Sequence, residues 1–502
     1  MKQLLLVLLT ISSFTLKAQQ NTLLDQSFWK SNPDLVAVKA AIEKGNSPSE
    51  TNRMGNDAVV NAINAQAPAD IITFLIDQKG NDVNKLTHDA RTYIFWAVSR
   101  GNIEVIEYLL SKGAKVNFED SHSSTPISFA ATTGQTNTKI YDALIKAGAN
   151  VKQKTPEGAS LLLLAIASDK DLALTNYFIS KGLSLKDTDA AGNTAFNYVA
   201  RSGNISLMKT LIEKGVAYTD NAMIMAAQGS RGAANGIEVY QYLESLGIKP
   251  NAVNKNGENA LHAIARKANQ QDIIKYFLSK GANVNQADND GTTPFMVAAG
   301  FNRDTATVTL FLAAVKNINQ VNKKGQSALT LAVRNNSPEL VQFLISKSAD
   351  INVVDAEGNN LAYYLIQSYA PQGGGPEGGR GGGAPRGDAF GPKLKILQEN
   401  GFNLATAQKD GNTLYHLAIM KNDLSLLKRI ENLNADVNAK NKEGLTPLQK
   451  AAMIAKDDTI LKYLLSIGAK KEITTEFKET AYDMAKENEF LSKNKIALDF
   501  LK

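Results

Sequence analysis

Four histidines, His88, His122, His262 and His416, are the imidazoles of this 502-residue chain, and it has no cysteine. Imidazole suits acid–base catalysis and metal ligation near neutral pH, so such chemistry would have to start at these positions. Lack of a thiol excludes a disulfide framework, thiolate zinc sites, iron–sulfur clusters, a cysteine nucleophile and a lipidated N-terminal cysteine. His88 and His122 are 34 residues apart, with Asp89 and Asp120 nearby. If they stand on successive turns about 10 Å apart, one zinc with ligands at about 2 Å cannot reach both unless the rings rotate inward, and no metal site is expected. No serine occupies a Gly-x-Ser-x-Gly elbow and no carboxylate pair is set for acid–base work, so neither catalysis nor a cofactor is expected. The run GGRGGG around Arg380 superficially offers a phosphate cradle or an Arg-Gly nucleic-acid segment, but no strand precedes it and no Gly-Lys-Ser/Thr follows.

The elements that would carry any site recur on a schedule. Gly45, Gly80, Gly113, Gly148, Gly182, Gly215, Gly247 and Gly281 follow one another at 32 to 35 residues, and the series continues through Val315, Ser348, Gly401, Asn434 and Gly468. Each stands just past an apolar helical stretch, as with Ile273, Ile274, Phe277 and Leu278 before Gly281. A helix ends at low steric cost in a left-handed residue, for which Gly is best and Asn next. Upstream of each such helix lies a shorter one, opened by Thr-Pro at 125, 293 and 446 or by Thr194-Ala195, Ser327-Ala328, Thr413-Leu414 and Thr480-Ala481. Thr caps the helix and Pro suits its first turn. An Asp/Asn-x-x-Gly turn precedes the pair and supplies a hairpin tip.

These residues carry a resemblance. GTTPFMVAAG from Gly291, SKGANVNQAD from Ser279 and GLTPLQKAA from Gly444 resemble the ankyrin-repeat family, whose unit is a β-turn plus two helices. The resemblance covers about residues 22 to 502. It implies an all-α solenoid of about 13 to 14 stacked repeats, each a helix-turn-helix plus a β-hairpin or loop, in a curved arc. It also implies that His262 and His416, in NALHAIA and TLYHLAI, make structural hydrogen bonds tying neighbouring hairpins together. The closing partial repeat is expected to form a short helix at Ala481 to Lys486 and a last one at Lys495 to Phe500.

Two segments stand apart. Lys2 precedes the apolar run from Leu4 to Leu9, which continues through Ile11 and Phe14. This is short of the roughly 20 residues that span a bilayer and reads as a signal peptide, residues 1–18, cut after Ala18, with an uncleaved anchor or a buried helix as the alternative. The solenoid would then be 19–502, exported to a bacterial periplasm or exterior, without a membrane span. The step from Ser348 to Gly401 is 53 residues, and its excess is the Gly/Pro-rich stretch 371–392, with ten glycines. Such a composition cannot offset its ordering entropy by burial, so a disordered insertion is expected between a helix ending near Tyr369 and one beginning near Lys393.

Lys and Arg number 55 against 49 Asp and Glu, interleaved to a net +6, which argues against nucleic acid as partner. Trp96, Phe129, Tyr198, Phe295, Tyr363 and Tyr415 lie in or beside short helices, mostly as core. The positions that the family places on its concave face are Asn289, Asp290, Phe301, Lys323, Lys324, Arg334, Arg201, Arg266 and Lys267. Exposed Arg and aromatic side chains are typical interface anchors. The expectation is a monomeric, non-catalytic scaffold that binds a protein, such as an envelope enzyme with an acidic face, through the concave face and hairpin tips. The alternatives are an immunity-type inhibitor of a toxin, or a hydrolase or small-ligand-binding protein using an unrecognised site.

Overall fold

The cap at Thr293 shows how one repeat begins. Its hydroxyl accepts from the Met296 amide at 3.3 Å, Pro294 takes the first helical position, and the short helix Pro294–Phe301 follows. At Thr446 the cap is reciprocal: Gln449 N donates to Thr446 Oγ1 at 3.3 Å, while Thr446 N donates to Gln449 Oε1 at 2.8 Å. Two orphan donors are satisfied at once, which decides where the helix starts. A second helix, Thr305–Leu312, completes the repeat. The computed structural model describes residues 21–230, 234–370 and 388–502 in this way. The expected signal peptide lies outside the described residues, as does most of the insertion, 371–387.

Second helices end at the expected positions. Gly281 has φ +82°, its N–H donates to Leu278 O at 3.1 Å, and Ala282 N reaches back to Phe277 O at 2.9 Å. Ser348 and Asn434 adopt the same left-handed conformation, at φ +66° and +55°. Of the thirteen expected terminators, Val315 alone has no positive φ. A β-branched residue is a steric outlier there: the helix Thr305–Leu312 keeps the bonds from Ala314 N to Phe311 O and from Val315 N to Leu312 O, but Lys316 N does not reach back to Phe311 O as Ala282 N does to Phe277 O, and donates to Asn285 Oδ1 at 3.0 Å instead.

Repeats stack like on like. The short helices Ala260–Ile264, Pro294–Phe301 and Ala328–Asn335 pack in a row, and Gln271–Ser279 packs on Thr305–Leu312. Phe277, Phe311 and Leu344 are fully buried between them. Each such side chain contributes about 1.5–3 kcal/mol by leaving water. Asparagine side chains lock the register across repeats. Asn302 Nδ2 donates to Ala265 O and Lys267 O at 2.9 and 3.0 Å, and Asn336 Nδ2 to Ala299 O and Asn302 O at 2.9 and 2.8 Å.

The turns are built by one carboxylate or amide each. Asp288 Oδ1 accepts from Asp290 N and Thr292 N, and Asn322 Oδ1 accepts from Lys324 N and Gln326 N. Neighbouring tips are joined by single backbone bonds, Asn289 N to Asn256 O at 2.7 Å and Lys323 N to Asp290 O at 2.8 Å. No strand forms among the described residues, and two isolated bridges, Lys154 with Ser160 and Val321 with Ser327, mark the hairpins. The tips are therefore chained turns and not a ladder.

The chain divides into two units, 1–199 with 206–218 and 200–205 with 219–502. The first is organised around Tyr93, Phe95, Ile106, Tyr141 and Phe178, all buried. Among the described residues it opens with the one-turn helix Thr22–Leu24, Gln26–Lys30 and Leu35–Glu43. The second carries the remaining repeats and closes with Ala481–Glu487. Its last α-helix is Glu489–Lys493, because Asn488 caps it, accepting from Phe490 N at 2.9 Å, and Lys495 turns left-handed at φ +52°; of the expected helix 495–500 only the one-turn helix Asp499–Leu501 forms.

Within the second unit the helix after the insertion begins at Phe390, earlier than Lys393. Phe390 is buried against Tyr369, ring centroids 5.6 Å apart, and Asp388 forms a two-pronged ion pair with Arg429 at 2.6 Å. That pairing holds the Asp388 carboxyl below its usual range. Residues 388–392, expected to belong to the structureless stretch, are thus held by an aromatic contact and a charge pair.

Candidate functional site

The nine candidate interface residues all lie in the second unit, but in two places. Asn289, Asp290, Lys323 and Lys324 are exposed at turn tips. Their backbone serves the tip-to-tip chain, and Asn289 Nδ2 also donates to Lys255 O at 3.1 Å. Arg201, Arg266, Lys267, Phe301 and Arg334 lie at or just past the C-terminal ends of short helices. A short helix of eight residues separates tip from end by about 12 Å, so these are two adjoining strips and not one cluster.

The helix-end strip gathers cations. Arg201 Nε donates to Gly229 O at 3.0 Å and Lys267 Nζ to Gln228 O at 2.7 Å, so both side chains lean over the same stretch of backbone. Burial pushes the Lys267 ammonium below its usual pKa, and Arg201 pushes it further. The Arg266 guanidinium lies 4.7 Å from the centroid of the Phe301 ring, and that ring is 48% exposed. Cation–π contacts of this kind orient a guanidinium without neutralising it.

Sequence reasoning passed over other exposed apolar residues. Met420 and Met453 are exposed at helix ends in the register of Arg266 and Arg334, and Val253, Val321 and Val354 are exposed at the base of turns. The signal was present: the same register that singled out Arg266 counts to Met420 and Met453. Of the aromatics, Phe129, Phe295 and Tyr415 are buried, while Trp96, Tyr198 and Tyr363 are half-buried.

His262 and His416 are both buried and bridge successive repeats. His416 Nδ1 accepts from Thr413 N at 3.1 Å, and Nε2 lies 2.9 Å from Leu445 O one repeat on. Accepting at Nδ1 requires the proton on Nε2, so the neutral ring donates to Leu445. His262 does the same with Asn259 N at 3.0 Å and Thr292 O at 3.2 Å. Burial lowers the pKa of both imidazoles, which favours this neutral form.

His88 and His122 rotate inward, the exception that the spacing allows, and converge on Asp89. Their Nε2 atoms lie 3.6 and 3.3 Å from its two oxygens. Arg91 already occupies the site, 3.1 Å from Asp89 and 2.8 Å from Asp120. A guanidinium between the carboxylates opposes a metal cation, and among the described residues no group of three or more ligating side chains has a metal-binding arrangement.

Stacked helix pairs with Thr-capped starts, left-handed ends and histidine bridges match a known repeat. Family models of ankyrin repeats match residues 30–120, 58–155, 223–315 and 296–371 in a three-copy form, and 163–212 and 415–465 in a many-copy form. The chain belongs to the ankyrin-repeat family. A putative ankyrin repeat protein of Rickettsia bellii is 35% identical over 101 residues, 20% of this chain and 56% of that protein. Mouse Rabankyrin-5 is 24% identical over 257 residues, 43% of this chain and 22% of the relative. Palmitoyltransferase AKR1 of Lachancea kluyveri is 29% identical over 131 residues, 26% of this chain and 17% of the relative. The chain thus spans little more than half of the Rickettsia protein and a small part of the other two. Ankyrin repeats generally mediate protein–protein interaction. Among the described residues no helix is long and apolar enough to cross a membrane.

Proposed function

We propose that the protein is a non-catalytic scaffold, exported to the bacterial envelope, that binds a partner protein as a monomer through its turn tips and short-helix ends. One observation carries the reading: the exposed Phe301 ring with Arg266 against it, beside Arg201 and Lys267, on backbone fixed by asparagine clamps. Arg and aromatic side chains on rigid supports lose little conformational entropy on binding, which makes them effective anchors. The export reading rests on Lys2 ahead of the apolar run and on Ala18.

Cross-linking from a photoreactive group at Phe301 or Lys323, in cells of the source bacterium, tests the face. An envelope protein should be captured from these positions and not from Lys275 on a second helix. Equal capture from Lys275 would refute the face. Mature protein should begin at Gln19. A chain that retains residues 1–18 in the cytoplasm would refute export, and turnover of a small molecule by the purified chain would refute the non-catalytic reading.

A further inference from the structure

The last three repeats change what stands at the short-helix ends. In the register that holds Arg266 and Arg334 earlier in the unit, Met420 and Met453 are 59% and 52% exposed. Ile454, which closes the helix Pro447–Ile454, and Phe490 are exposed as well. Three residues before Met420, Met453 and Glu487, and so on the same helix face, stand Leu417, Lys450 and Met484, all half-buried. Asn488 fixes the far end. Its Nδ2 donates to Ala452 O and Ala455 O, both at 2.9 Å, which sets the segment carrying Phe490 against the end of the helix carrying Ile454. Together these side chains expose on the order of a few hundred Å² of apolar surface, the size at which a patch on a monomer often marks an interaction site.

From this we infer that the short-helix ends from Leu417 to Phe490 form the seat of an amphipathic helix of the partner protein. The inference rests on the protein-binding reading above and specifies its partner chemistry. Spacing selects a helix. Stacked repeats step by about 8–10 Å and two turns of helix rise by about 10.5 Å, so residues seven apart in an incoming helix meet Met420 and Met453 in turn. Side chains on one face of an extended strand recur at about 7 Å and fall out of step with the methionines. Methionine is unbranched and polarizable, which lets it mould to the apolar face of a docked helix.

Charge sets the flanks and the direction. Lys450 stands in the row between Leu417 and Met484, and Glu487 continues the row of Met420 and Met453, with Glu489 opening the next helix. Among the described residues none of these three is held in an ion pair. The seat therefore calls for a carboxylate opposite Lys450 and positive charge opposite Glu487 and Glu489. A helix N-terminus carries about half a positive charge, so the partner helix runs with its N-terminus toward Glu487. Two repeat steps, about 16–20 Å, take roughly eleven to thirteen helical residues.

The test uses the full chain and a labelled fourteen-residue peptide with leucines on one helical face, glutamates along one flank and a free N-terminus, read by fluorescence anisotropy. Met420→Gln/Met453→Gln should weaken binding at least tenfold. Val36→Gln/Met54→Gln replaces apolar side chains that are 73% and 59% exposed in the first unit and should weaken it less than twofold. Lys450→Gln and Glu487→Gln should each weaken binding, although they change the net charge in opposite senses. Unchanged thermal unfolding of every variant checks that the fold is intact. Weakening by one of these charge variants and strengthening by the other would reduce the effect to net charge and overturn the inference, as would equal binding of a scrambled peptide. Loss of a dimer in Met420→Gln/Met453→Gln, seen by sedimentation, would make a second copy the occupant and overturn it too. So would tighter peptide binding after deletion of 371–387, which would make that stretch the occupant. A protein cross-linked from Phe301 and retained in full by Met420→Gln/Met453→Gln would sink the seat while leaving the protein-binding reading standing.

Discussion

Replacing His416 with alanine removes both ends of a bridge between successive repeats. The Thr413 amide loses its acceptor at 3.1 Å and the Leu445 carbonyl its donor at 2.9 Å, with the ring fully buried. Each stranded buried group costs about 1–3 kcal/mol, so His416→Ala should destabilise by about 3 kcal/mol or more once the cavity is added. His416→Gln should cost less than about 1 kcal/mol, because both bonds can be remade. Gln449 already does this one repeat later, accepting from Thr446 N at 2.8 Å and donating to Glu479 O, the counterpart of Leu445 O, at 3.2 Å and to Ile473 O at 2.9 Å. The two substitutions also separate in pH. A buried imidazole with a lowered pKa leaves the unfolded chain binding more protons just below the ordinary value of 6.5. Its contribution to stability is present above 6.5 and is lost as pH falls through the folded value. Urea unfolding at pH 7.5 and 5.5, followed by circular dichroism, should show wild type weakening on acidification more than His262→Gln/His416→Gln. Equal instability of the alanine and glutamine variants at pH 7.5, or an unchanged pH slope in the double glutamine variant, would refute the bridging account.

Two further pairs test the backbone argument. Ser348→Gly, at φ +66°, should raise stability by about 1 kcal/mol by relieving a left-handed serine, whereas Val315→Gly, where φ is not positive, should lower it by about 0.5–1 kcal/mol. Differential scanning calorimetry decides, and a Val315→Gly gain would contradict the closure described there. Gly325→Ala places a methyl 2.4 Å from Ala356 N at φ +73°, while Gly444→Ala meets nothing within 4 Å at φ +74°. The first should lower the unfolding midpoint clearly more than the second, whose cost of about 1 kcal/mol is conformational alone. Equal shifts would show that the close approach of successive tips carries no weight.

Much of this protein was legible along the chain. The helix starts follow from Thr and Pro, the helix ends from Gly, Ser348 and Asn434, and the histidine bridges from the family resemblance that the same motifs carry. The starts and ends are decided within a turn or so of backbone, where capping and left-handed φ act through neighbours in sequence. Val315 shows the limit: the period put a terminator there, but the side chain forbids the conformation, and the helix closed in another way.

Sequence by itself determined the repeat, its boundaries and the kind of surface a stack of such repeats presents. Tertiary structure decided which polar groups meet. His88 and His122 turn toward Asp89, Arg201 and Lys267 lean over one stretch of backbone, and Asp388 reaches Arg429 although 41 residues separate them. The same stacking put Arg266 on Phe301 and left Asn289 and Lys323 on a different strip. The physical reason is range. Capping and turn formation are local and can be counted off the chain, whereas charge pairing and ring stacking depend on where whole helices are set by packing against the next repeat.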